Sequence, residues 1–377
     1  MARFSLFALL AVPWLMLMGL VAGDAVHDLE KKGRPALDAL LAKSKTCTKA
    51  NLRVRKEWGD ITAAEKKAYI SALQCLLQRP SKLDQTRFPG AKSRYDDFVV
   101  VHMNQTQTIH GTGSFLSWHR YYLWAFEETL RKECSYTGSH PYWDWGKWAA
   151  DPEKSPIFDG SDTSLGGNGK KTQHRASAFA PAGNGGGCVE TGPFKNMTVY
   201  LGPISPAIDP APKANPRADG YGSNPRCLRR DISNQLTSKY ARTQDIVSLI
   251  NSRDLATFQN VMQGAGGFGF GGGGGMGVHS AGHYTIGGDP GGDFYTSPND
   301  PAFWVHHGMI DRAWVVWQTQ DLNNRVNIVA GGTSMMGFGA RQQSLDDPID
   351  LGVVADKVYK IRDLVSIVDG PFCYVYE

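Results

Sequence analysis

The stretch Asp300-Pro-Ala-Phe-Trp-Val-His-His-Gly-Met-Ile-Asp-Arg312 decides how the rest of the sequence is interpreted. Asp300 is a favourable helix cap and Pro301 suits a first helical position, so the pattern predicts a helix over Pro301–Asp321. Phe303, His307 and Asp311 recur every four residues and therefore share one face of that helix. The two adjacent histidines in so apolar a run are candidate metal ligands.

A pair of histidines precedes this stretch. In Val278-His-Ser-Ala-Gly-His283, His279 and His283 lie four residues apart, within a segment whose pattern predicts a helix over Met276–Tyr284. Both imidazoles should therefore leave the same helix face. Together with a third histidine from positions 306–307, they form a candidate site with three nitrogen ligands.

A second cluster lies earlier in the chain. His102 falls in a helix predicted over Ser93–Gln105, and His119 falls in a helix predicted over Phe115–Lys132. His110 lies between them, in the loop sequence Thr-Ile-His-Gly-Thr-Gly. Two helices and a loop thus present one imidazole each.

The choice of residue types indicates the metal. Neutral imidazole suits copper and zinc, whereas magnesium prefers oxygen ligands. Neither cluster offers an obvious carboxylate ligand, and structural zinc sites are usually four-coordinate and rich in thiolates. Two sites of three imidazoles therefore indicate a pair of copper ions, although spacing alone does not establish that the clusters meet.

The remaining pattern is helical with long irregular segments. Thr62-Ala-Ala-Glu65 forms a capping box before a helix at Lys66–Leu77, and helical periodicity returns at Thr243–Gln263. Residues 150–230 are irregular, and residues 350–377 alternate as short strands do. Ten of the fourteen residues at 264–277 are glycine. We interpret this run as a flexible wall beside the second cluster, with a plain linker as the alternative.

Composition excludes several classes of protein. The 377 residues are 41% hydrophobic and can bury a core, so a wholly disordered chain is excluded. The 40 basic and 36 acidic residues are interspersed, and the net charge is only +4. The balance argues against a nucleic-acid partner.

The N-terminus predicts export. Arg3 precedes an apolar run from Phe4 to Val21, and small residues follow at Ala22 and Gly23. We predict a signal peptide over residues 1–23, with a membrane anchor as the alternative. The mature protein would then be secreted or lie in the secretory-pathway lumen, with no membrane association.

Cysteines and glycosylation sites fit that compartment. The six cysteines contain no Cys-x-x-Cys pair, so they predict up to three disulfides whose pairing the sequence leaves open. Cys188 and Cys227 would pin the irregular segment. Two glycosylation sequons begin at Asn104 and Asn196, and Asn196 is the better candidate because Asn104 adjoins His102.

These segments resemble the central domain of the type-3 copper proteins, namely tyrosinases, catechol oxidases and haemocyanins. The short, secreted fungal tyrosinase-like group is the most similar. The resemblance extends over about residues 45–377. It rests on the His279/His283 pair and on three strings: Gly113-Ser-Phe-Leu-Ser-Trp-His-Arg120, Pro141-Tyr-Trp-Asp-Trp145 and Asp300–Arg312.

The resemblance implies a mainly α fold: a four-helix bundle around a dinuclear metal site, with long disulfide-pinned loops and a few short strands. A single copper-binding domain would span residues 24–377, with no C-terminal lid domain. Tyr374-Val-Tyr376 is similar to the tyrosine motif that closes the family's central domain, and Arg55 matches an arginine that packs near it.

The resemblance also implies roles for the site residues. Asp311 would orient a ligand imidazole or Arg312 through a hydrogen bond, and Phe303 would lie over the metals and narrow the substrate entrance, with ordinary core as the alternative for Phe303. In the family, the second of two adjacent histidines is the ligand, which favours His307 over His306. The implied copper ligands are His102, His110 and His119 for one ion, and His279, His283 and His307 for the other.

The implied reaction uses dioxygen to oxidise a small phenolic substrate, either an o-diphenol or an aminophenol, to a quinone. A secondary-metabolite intermediate is a further candidate substrate. Ser280 occupies the position where tyrosinases carry an asparagine that helps to deprotonate monophenols, and no acidic residue occurs between Asp254 and Asp289. Efficient monophenol hydroxylation is therefore not expected. Thr108 replaces a cysteine that many fungal tyrosinases bond to the following histidine.

Two other functions remain open at this point. The same dinuclear site, holding zinc, could act as a Lewis acid in a non-oxidative, cyclopenase-like rearrangement. An oxygen carrier like haemocyanin is disfavoured by the short chain and solitary domain. The sequence leaves the oligomeric state open.

Overall fold

The computed structural model describes residues 25–177, 179–264, 275–335, 337 and 339–377. The predicted signal peptide and most of the glycine-rich run lie outside the described residues. The α-helices are α1 Ala25–Leu41, α2 Ala63–Gln78, α3 Arg94–Ile109, α4 Phe115–Cys134, α5 Asn234–Tyr240, α6 Thr243–Ile250, α7 Leu255–Gln263, α8 Val278–Ile286, α9 Ala302–Thr319 and α10 Leu322–Arg325. The strands are β1 Arg53–Arg55, β2 Gly169–Lys171, β3 Gly186–Val189, β4 Thr198–Val199, β5 Arg226–Cys227, β6 Pro348–Ile349, β7 Tyr359–Lys360 and β8 Tyr374–Tyr376.

Helices α3, α4, α8 and α9 form the bundle at the centre of the molecule. Helix α9 packs against α4 and α8, and α3 packs against α4. Helix α2 covers α3 and α4 from outside, while α1 and α6 cover α9. The predicted mainly helical fold with a few short strands is confirmed.

Helix α9 is the core of that bundle. Every residue from Ala302 to Thr319 is buried, as expected for a helix that is apolar on most of its faces. The Asp300 carboxylate accepts a hydrogen bond from the backbone N–H of Ala302 at 2.8 Å, so it caps the helix start as predicted. The helix ends two residues before the predicted end at Asp321.

Helices α2 and α3 begin at capping residues that are visible in the sequence. Thr62 and Glu65 form the predicted capping box at the start of α2. Ser93 caps α3, which extends to Ile109, four residues beyond the prediction, and so reaches the edge of the His110 loop. Helix α4 ends at Cys134, and the next residue, Ser135, adopts the left-handed conformation with φ at 54°.

Three disulfides cross-link the chain, one between two helices, one between two strands of the irregular segment, and one between residues close to β1 and β8. The pairs are Cys47–Cys373, Cys75–Cys134 and Cys188–Cys227. The last pair joins β3 to β5 and pins the segment 150–230 as predicted. Strand β1 pairs in parallel with β8, so residues near both ends of the described chain meet in one small sheet.

The structure also corrects several expectations. Helices α1, α5 and α10 were not predicted, and the periodicity at 243–263 belongs to two helices, α6 and α7. The segment 350–377 holds strands β7 and β8, with one 3-10 turn before β7 and another between the two strands. Asn104 is exposed like Asn196, so proximity to His102 does not hide it.

Within the described part of the chain, no helix combines the length and apolar character that crossing a bilayer requires.

Candidate metal centre

The first histidine cluster is held by α3 and α4. His102 lies within α3, His110 is the residue that caps the end of α3, and His119 lies in the second turn of α4. The Nδ1 atom of each ring lies within hydrogen-bonding distance of a backbone carbonyl: Tyr295 at 2.9 Å, Thr106 at 3.0 Å and Phe115 at 2.7 Å, respectively. These bonds place the proton on Nδ1 and direct the lone pair of Nε2 inward.

The inward nitrogens are poorly satisfied by the protein alone. The candidate ligand atoms of His102, His110 and His119 all lie within 4.8 Å of one another. The Nε2 atoms of His102 and His119 are buried and have no hydrogen-bond partner. Buried polar atoms are rarely left without a partner unless a ligand or ion completes them.

The second cluster is held by α8 and α9. His279 and His283 lie one turn apart on α8, and His307 lies on α9. The Nε2 atom of His283 is 3.1 Å from Nε2 of His279 and 3.0 Å from Nε2 of His307. Three nitrogens thus converge on one small volume with no carboxylate among them, and His306 joins the same group of candidate ligands.

The two clusters adjoin, which spacing alone could not establish. The rings of His119 and His307 are stacked, with centroids 4.6 Å apart and planes inclined by 15°. The rings of His110 and His279 face each other at 6.0 Å. The four bundle helices therefore bring the two histidine triplets into one dinuclear centre.

The surroundings keep these imidazoles neutral. Burial lowers the pKa of His102 to about 4. Burial, assisted by neighbouring imidazoles, holds the pKa of the other five far below its ordinary value; these are His110, His119, His279, His283 and His307. Neutral imidazole is the form that binds a metal ion.

His306 has a different environment from His307. Its Nδ1 accepts a hydrogen bond from the indole N–H of Trp145 at 3.0 Å. Burial lowers the pKa of His306 to about 3, so this ring is neutral as well. Because Nδ1 is the acceptor, its single proton lies on Nε2.

Phe303 does not stand at the entrance, contrary to the prediction. Its ring is 1% exposed and stacks on His307 at 4.2 Å, with Tyr122 and Trp304 on its other sides. It also contacts the ring of His102. Phe303 therefore supports imidazoles of both clusters from the core side.

Asp311 also has other partners than predicted. Its carboxylate accepts hydrogen bonds from Arg120 at 2.6 Å and from the hydroxyls of Tyr374 and Tyr376 at 2.6 Å each. Arg55 completes this network at 3.4 Å. Arg312 instead pairs with Glu30 and Asp144. The prediction that Asp311 bonds to a ligand imidazole or to Arg312 is therefore wrong, because its carboxylate oxygens accept hydrogen bonds from two other arginines and two tyrosine hydroxyls.

The approach to the metal centre is a small cavity of about 20 Å³, room for roughly one water molecule. Its walls include three candidate ligands, His110, His279 and His283, and these further residues: Ser280, Tyr284, Gly291, Gly292, Asp293, Phe294 and Ser297. Phe294 lies against the His110 ring at 4.8 Å. Sequence analysis missed Tyr284, Asp293 and Phe294, and the only signal for them was their position between the two histidine motifs.

Ser280, which directly follows His279 in the sequence, lies on the cavity wall. Its hydroxyl donates to the backbone carbonyl of Gln263 at 3.2 Å. Asp293 is the carboxylate on that wall, and it accepts bonds from four backbone N–H groups, those of Ile204, Ser205, Tyr295 and Thr296. Both polar groups are therefore held by the backbone.

The residues present fit a pair of copper ions. Six neutral imidazoles in two groups form a donor set that copper favours, and the converging Nε2 atoms leave a position that a cation would satisfy. A four-helix bundle with two adjoining triplets of imidazoles defines the class: a dinuclear, type-3 copper protein.

Comparison with known proteins gives the family. The model of the common central domain of tyrosinase matches residues 92–320. Tyrosinase P of Aspergillus terreus is 38% identical over 334 residues, which cover 86% of this chain and 91% of that protein. The N-acetyl-6-hydroxytryptophan oxidase ivoB of Emericella nidulans is 35% identical over 361 residues, 91% of this chain and 97% of that protein.

A solved structure agrees over almost the whole chain. A mutant polyphenol oxidase from Thermothelomyces thermophila superimposes with a TM-score of 0.86 and is 38% identical, covering 93% of this chain and 97% of that one. The chain belongs to the tyrosinase family and is a tyrosinase-like copper oxidoreductase. The cofactor of this family is dinuclear copper, and these relatives give no support to the zinc alternative.

Proposed function

We propose that the enzyme uses dioxygen to oxidise o-diphenols to o-quinones, or o-aminophenols to the corresponding quinone imines. The observation that carries the proposal is the meeting of two imidazole triplets at the end of one aromatic-walled cavity. When bound, the copper pair supplies the exchange of electrons: each substrate gives up two electrons and two protons, and dioxygen is reduced to water. The proposed ligands are His102, His110 and His119 for one ion, and His279, His283 and His307 for the other.

The choice of His307 over His306 rests on where the nitrogens point. Nε2 of His307 lies 3.0 Å from Nε2 of His283, whereas His306 uses its Nδ1 to accept from Trp145. His307 also stacks on His119 of the first triplet. Of the two adjacent histidines, His307 is therefore the one whose ring belongs to the second triplet and faces the first.

The chain's own contribution is to orient the ligands and exclude water. Backbone carbonyls hold Nδ1–H of the first triplet, so each Nε2 is presented without further rearrangement. Phe303, Phe294 and Phe115 pack around the imidazoles of the site. A substrate ring that fills the cavity would exclude water from the site.

Oxidation of diphenols is favoured over hydroxylation of monophenols. A monophenol has to lose its proton near the metals before it is hydroxylated, and this step calls for a base. Among the described residues of the cavity wall, Asp293 is the only carboxylate, and four backbone N–H groups engage it. Ser280 supplies a hydroxyl at the position where tyrosinases carry the amide of an asparagine.

The name of one relative supports a hydroxylated aromatic substrate. One relative, 35% identical, is named as an oxidase of N-acetyl-6-hydroxytryptophan, which is a phenol on an indole ring. We therefore extend the proposal to hydroxylated aromatic intermediates of secondary metabolism, and we expect those with a single ring hydroxyl to react more slowly than o-diphenols.

We also propose that the mature protein is secreted as one copper-binding domain over residues 24–377. The predicted signal at residues 1–23 and three disulfides, which are typical of oxidising compartments, support export. Pairing of β1 with β8 and the Cys47–Cys373 disulfide support a single folding unit.

The test is the metal content of the mature protein purified from cells grown with copper, combined with turnover. We expect about two coppers per chain, a near-ultraviolet absorption band after adding hydrogen peroxide, and dioxygen uptake with 4-methylcatechol and 2-aminophenol. Uptake with 4-methylphenol should be much slower. The variant His307→Ala should hold about one copper and lose turnover, while His27→Ala, at an exposed histidine, should keep both.

Two results would overturn the proposal. Bound zinc without dioxygen uptake, in protein grown with ample copper, would favour Lewis-acid rearrangement of a pathway intermediate. Two coppers that bind dioxygen reversibly, with no phenol oxidised, would instead mark an oxygen carrier.

A further inference from the structure

Trp145 and His306 form a contact directly behind the second histidine triplet. The Trp145 indole N–H donates to Nδ1 of His306 at 3.0 Å, and both side chains are fully buried. The hydrogen bond fixes both the rotation of the His306 ring and the nitrogen that carries its proton. A buried ring held in this way is a rigid spacer.

The His306 ring packs closely against α8, the helix that carries two of the proposed ligands. Gly282 lies between His279 and His283 on α8, and a methyl group added there would lie 2.1 Å from Cε1 and 2.4 Å from Nδ1 of His306. The ring of His306 therefore lies directly against the α8 backbone. Only glycine permits this approach, because any Cβ would collide with the ring.

The same ring touches the side chains of both α8 ligands. It lies parallel to His279, with planes inclined by 15° and centroids 5.8 Å apart, and edge-on to His283 at 4.5 Å. Its own backbone is adjacent to His307 on α9. His306 thus contacts, or directly precedes in sequence, every member of the second triplet.

We propose that Trp145 and His306 form a brace that sets the position of α8 against α9 and thereby the geometry of the second copper site. His306 is a positioning residue in this arrangement, and Trp145 positions His306. The inference rests on the proposed ligands His279, His283 and His307. It adds that the convergence of these three ligands depends on the hydrogen bond between Trp145 and His306, in which none of the three takes part.

The physical reason is that metal affinity depends on small displacements of the ligands. Residues that orient ligands from behind typically change metal affinity by about 10–100-fold when they are removed. Without the indole donor, Nδ1 of His306 would be left buried and unsatisfied, and the ring could rotate or shift. The α8 backbone would then move relative to His307.

The sequence supplies a matched control two residues away. Trp143 is also fully buried, and its ring lies 6.3 Å from the ring of His306. Its indole nitrogen, however, has no hydrogen-bond partner. The changes Trp145→Phe and Trp143→Phe therefore remove the same atoms from similar surroundings, and only the first removes the bond to His306.

The experiment measures release of copper from the fully loaded variants into a competing chelator, with no substrate present. For Trp145→Phe we expect one copper per chain to be released about tenfold more readily than from the wild type, while the other is retained normally. Trp143→Phe should release both coppers as the wild type does. Thermal unfolding of the metal-free proteins should show that both variants fold, with the larger loss of stability for Trp145→Phe because it leaves Nδ1 of His306 without its donor.

A second variant approaches the brace from its other side. Gly282→Ala should push the His306 ring away from α8 and weaken the same single copper, with the indole donor intact. Equal copper release from Trp145→Phe and Trp143→Phe, or loss of the copper at the first triplet, would overturn the brace. A wild-type protein that binds no copper would instead refute the proposed function, so the two failures are distinguishable.

Discussion

The two histidine triplets are oriented by different interactions. In the first, all three Nδ1 atoms lie at hydrogen-bonding distance from backbone carbonyls, and two of those carbonyls are four residues back in the same chain segment. In the second triplet, the imidazoles are oriented mainly by packing against neighbouring rings: Phe303 packs on His307, and His306 packs on His279 and His283. The first triplet is therefore set mainly by local backbone geometry, and the second by how α8 and α9 pack.

Phe294 is the residue for which we predict an effect on substrate size. Its ring lies 4.8 Å from His110 on the wall of a cavity too small for a phenol ring, so it has to move when a substrate enters. The change Phe294→Ala should raise kcat/KM for 4-tert-butylcatechol about tenfold relative to that for catechol, because pocket volume discriminates by about this factor. Initial rates of dioxygen uptake with the two substrates provide the measurement.

Phe303→Leu is the contrasting variant. Since Phe303 packs behind the imidazoles, its truncation should lower stability and copper retention without changing the ratio of kcat/KM between the two catechols. A change in that ratio for Phe303→Leu, with none for Phe294→Ala, would restore Phe303 as the entrance residue.

At the scale of elements, helices with local start signals were predictable from the sequence. Thr62 with Glu65, Ser93, and Asp300 with Pro301 mark starts that the structure reproduces within one to three residues. Helix α1 was not predictable in this way. It contains Gly33 and Pro35, is rich in charge, and buries few side chains, so its stability comes from packing on α9. At Gly33 an added methyl would lie 2.2 Å from the Thr319 hydroxyl, which shows how close the two helices approach.

The candidate site divides in the same way. Histidines at helical spacing, such as His279 and His283, could be predicted because one short segment supplies both the ligand atoms and the helical geometry that brings them together. The wall residue Phe294 lies in an irregular segment that long-range contacts position, as when Asp293 accepts from Ile204 and Ser205 almost ninety residues earlier. The partners of Asp311 come from three distant elements, α4, β1 and β8. No periodic pattern encodes such contacts.

The hairpin formed by β2 and β3 gives a prediction that depends on pH. Burial lowers the pKa of His174, and the charge of Arg229 lowers it slightly further. Hydrogen bonds to the Thr172 carbonyl and the Asp231 carboxylate, together with the negative charge of Asp231, raise the pKa. The net result is a pKa above the ordinary value. A raised folded-state pKa stabilises the protein fully below the unfolded value near 6.5, and the benefit disappears as the pH rises through the folded value. His174→Gln should therefore cost about 1–3 kcal/mol at pH 5.5 and much less at pH 8.5.

Chemical denaturation of the two proteins at both pH values provides the measurement. His27→Gln, at an exposed histidine, serves as the control and should change stability little at either pH. A cost for His174→Gln that grows as the pH rises would contradict the assignment, because the stabilising form would then be the neutral imidazole.

At the scale of the whole molecule, one buried charge network joins parts of the chain that are far apart in sequence. Arg55 of β1 lies over the ring of Tyr374 of β8 at 3.6 Å and pairs with Glu127 of α4 at 2.7 Å. Asp311 of α9 binds Arg55, Arg120, Tyr374 and Tyr376. Helix α9 also carries His307, so the network anchors the small β1–β8 sheet to the helix that completes the metal centre.

Replacing the carboxylate at its centre should destabilise the whole fold. Asp311→Asn keeps the shape but leaves Arg55 and Arg120 buried with one negative charge fewer, and breaking a buried pair in this way costs about 3–5 kcal/mol. Although burial alone would raise the pKa of Asp311, Arg120 and Arg55 lower it below its ordinary value. The stabilisation is therefore present above the unfolded-state pKa near 3.9 and is lost as the pH falls through the folded value.

Denaturant unfolding at pH 7 and at pH 3 tests this expectation, with Asp346→Asn as the control. Asp346 pairs with Lys360 and Arg362 at the surface, where such pairs contribute at most about 1 kcal/mol. The difference between wild type and Asp311→Asn should be large at pH 7 and should shrink at pH 3, whereas Asp346→Asn should stay close to wild type throughout. Equal effects of the two variants at pH 7 would show that the Asp311 network does not hold the β1–β8 sheet to α9, since a surface pair would then contribute as much as the buried one.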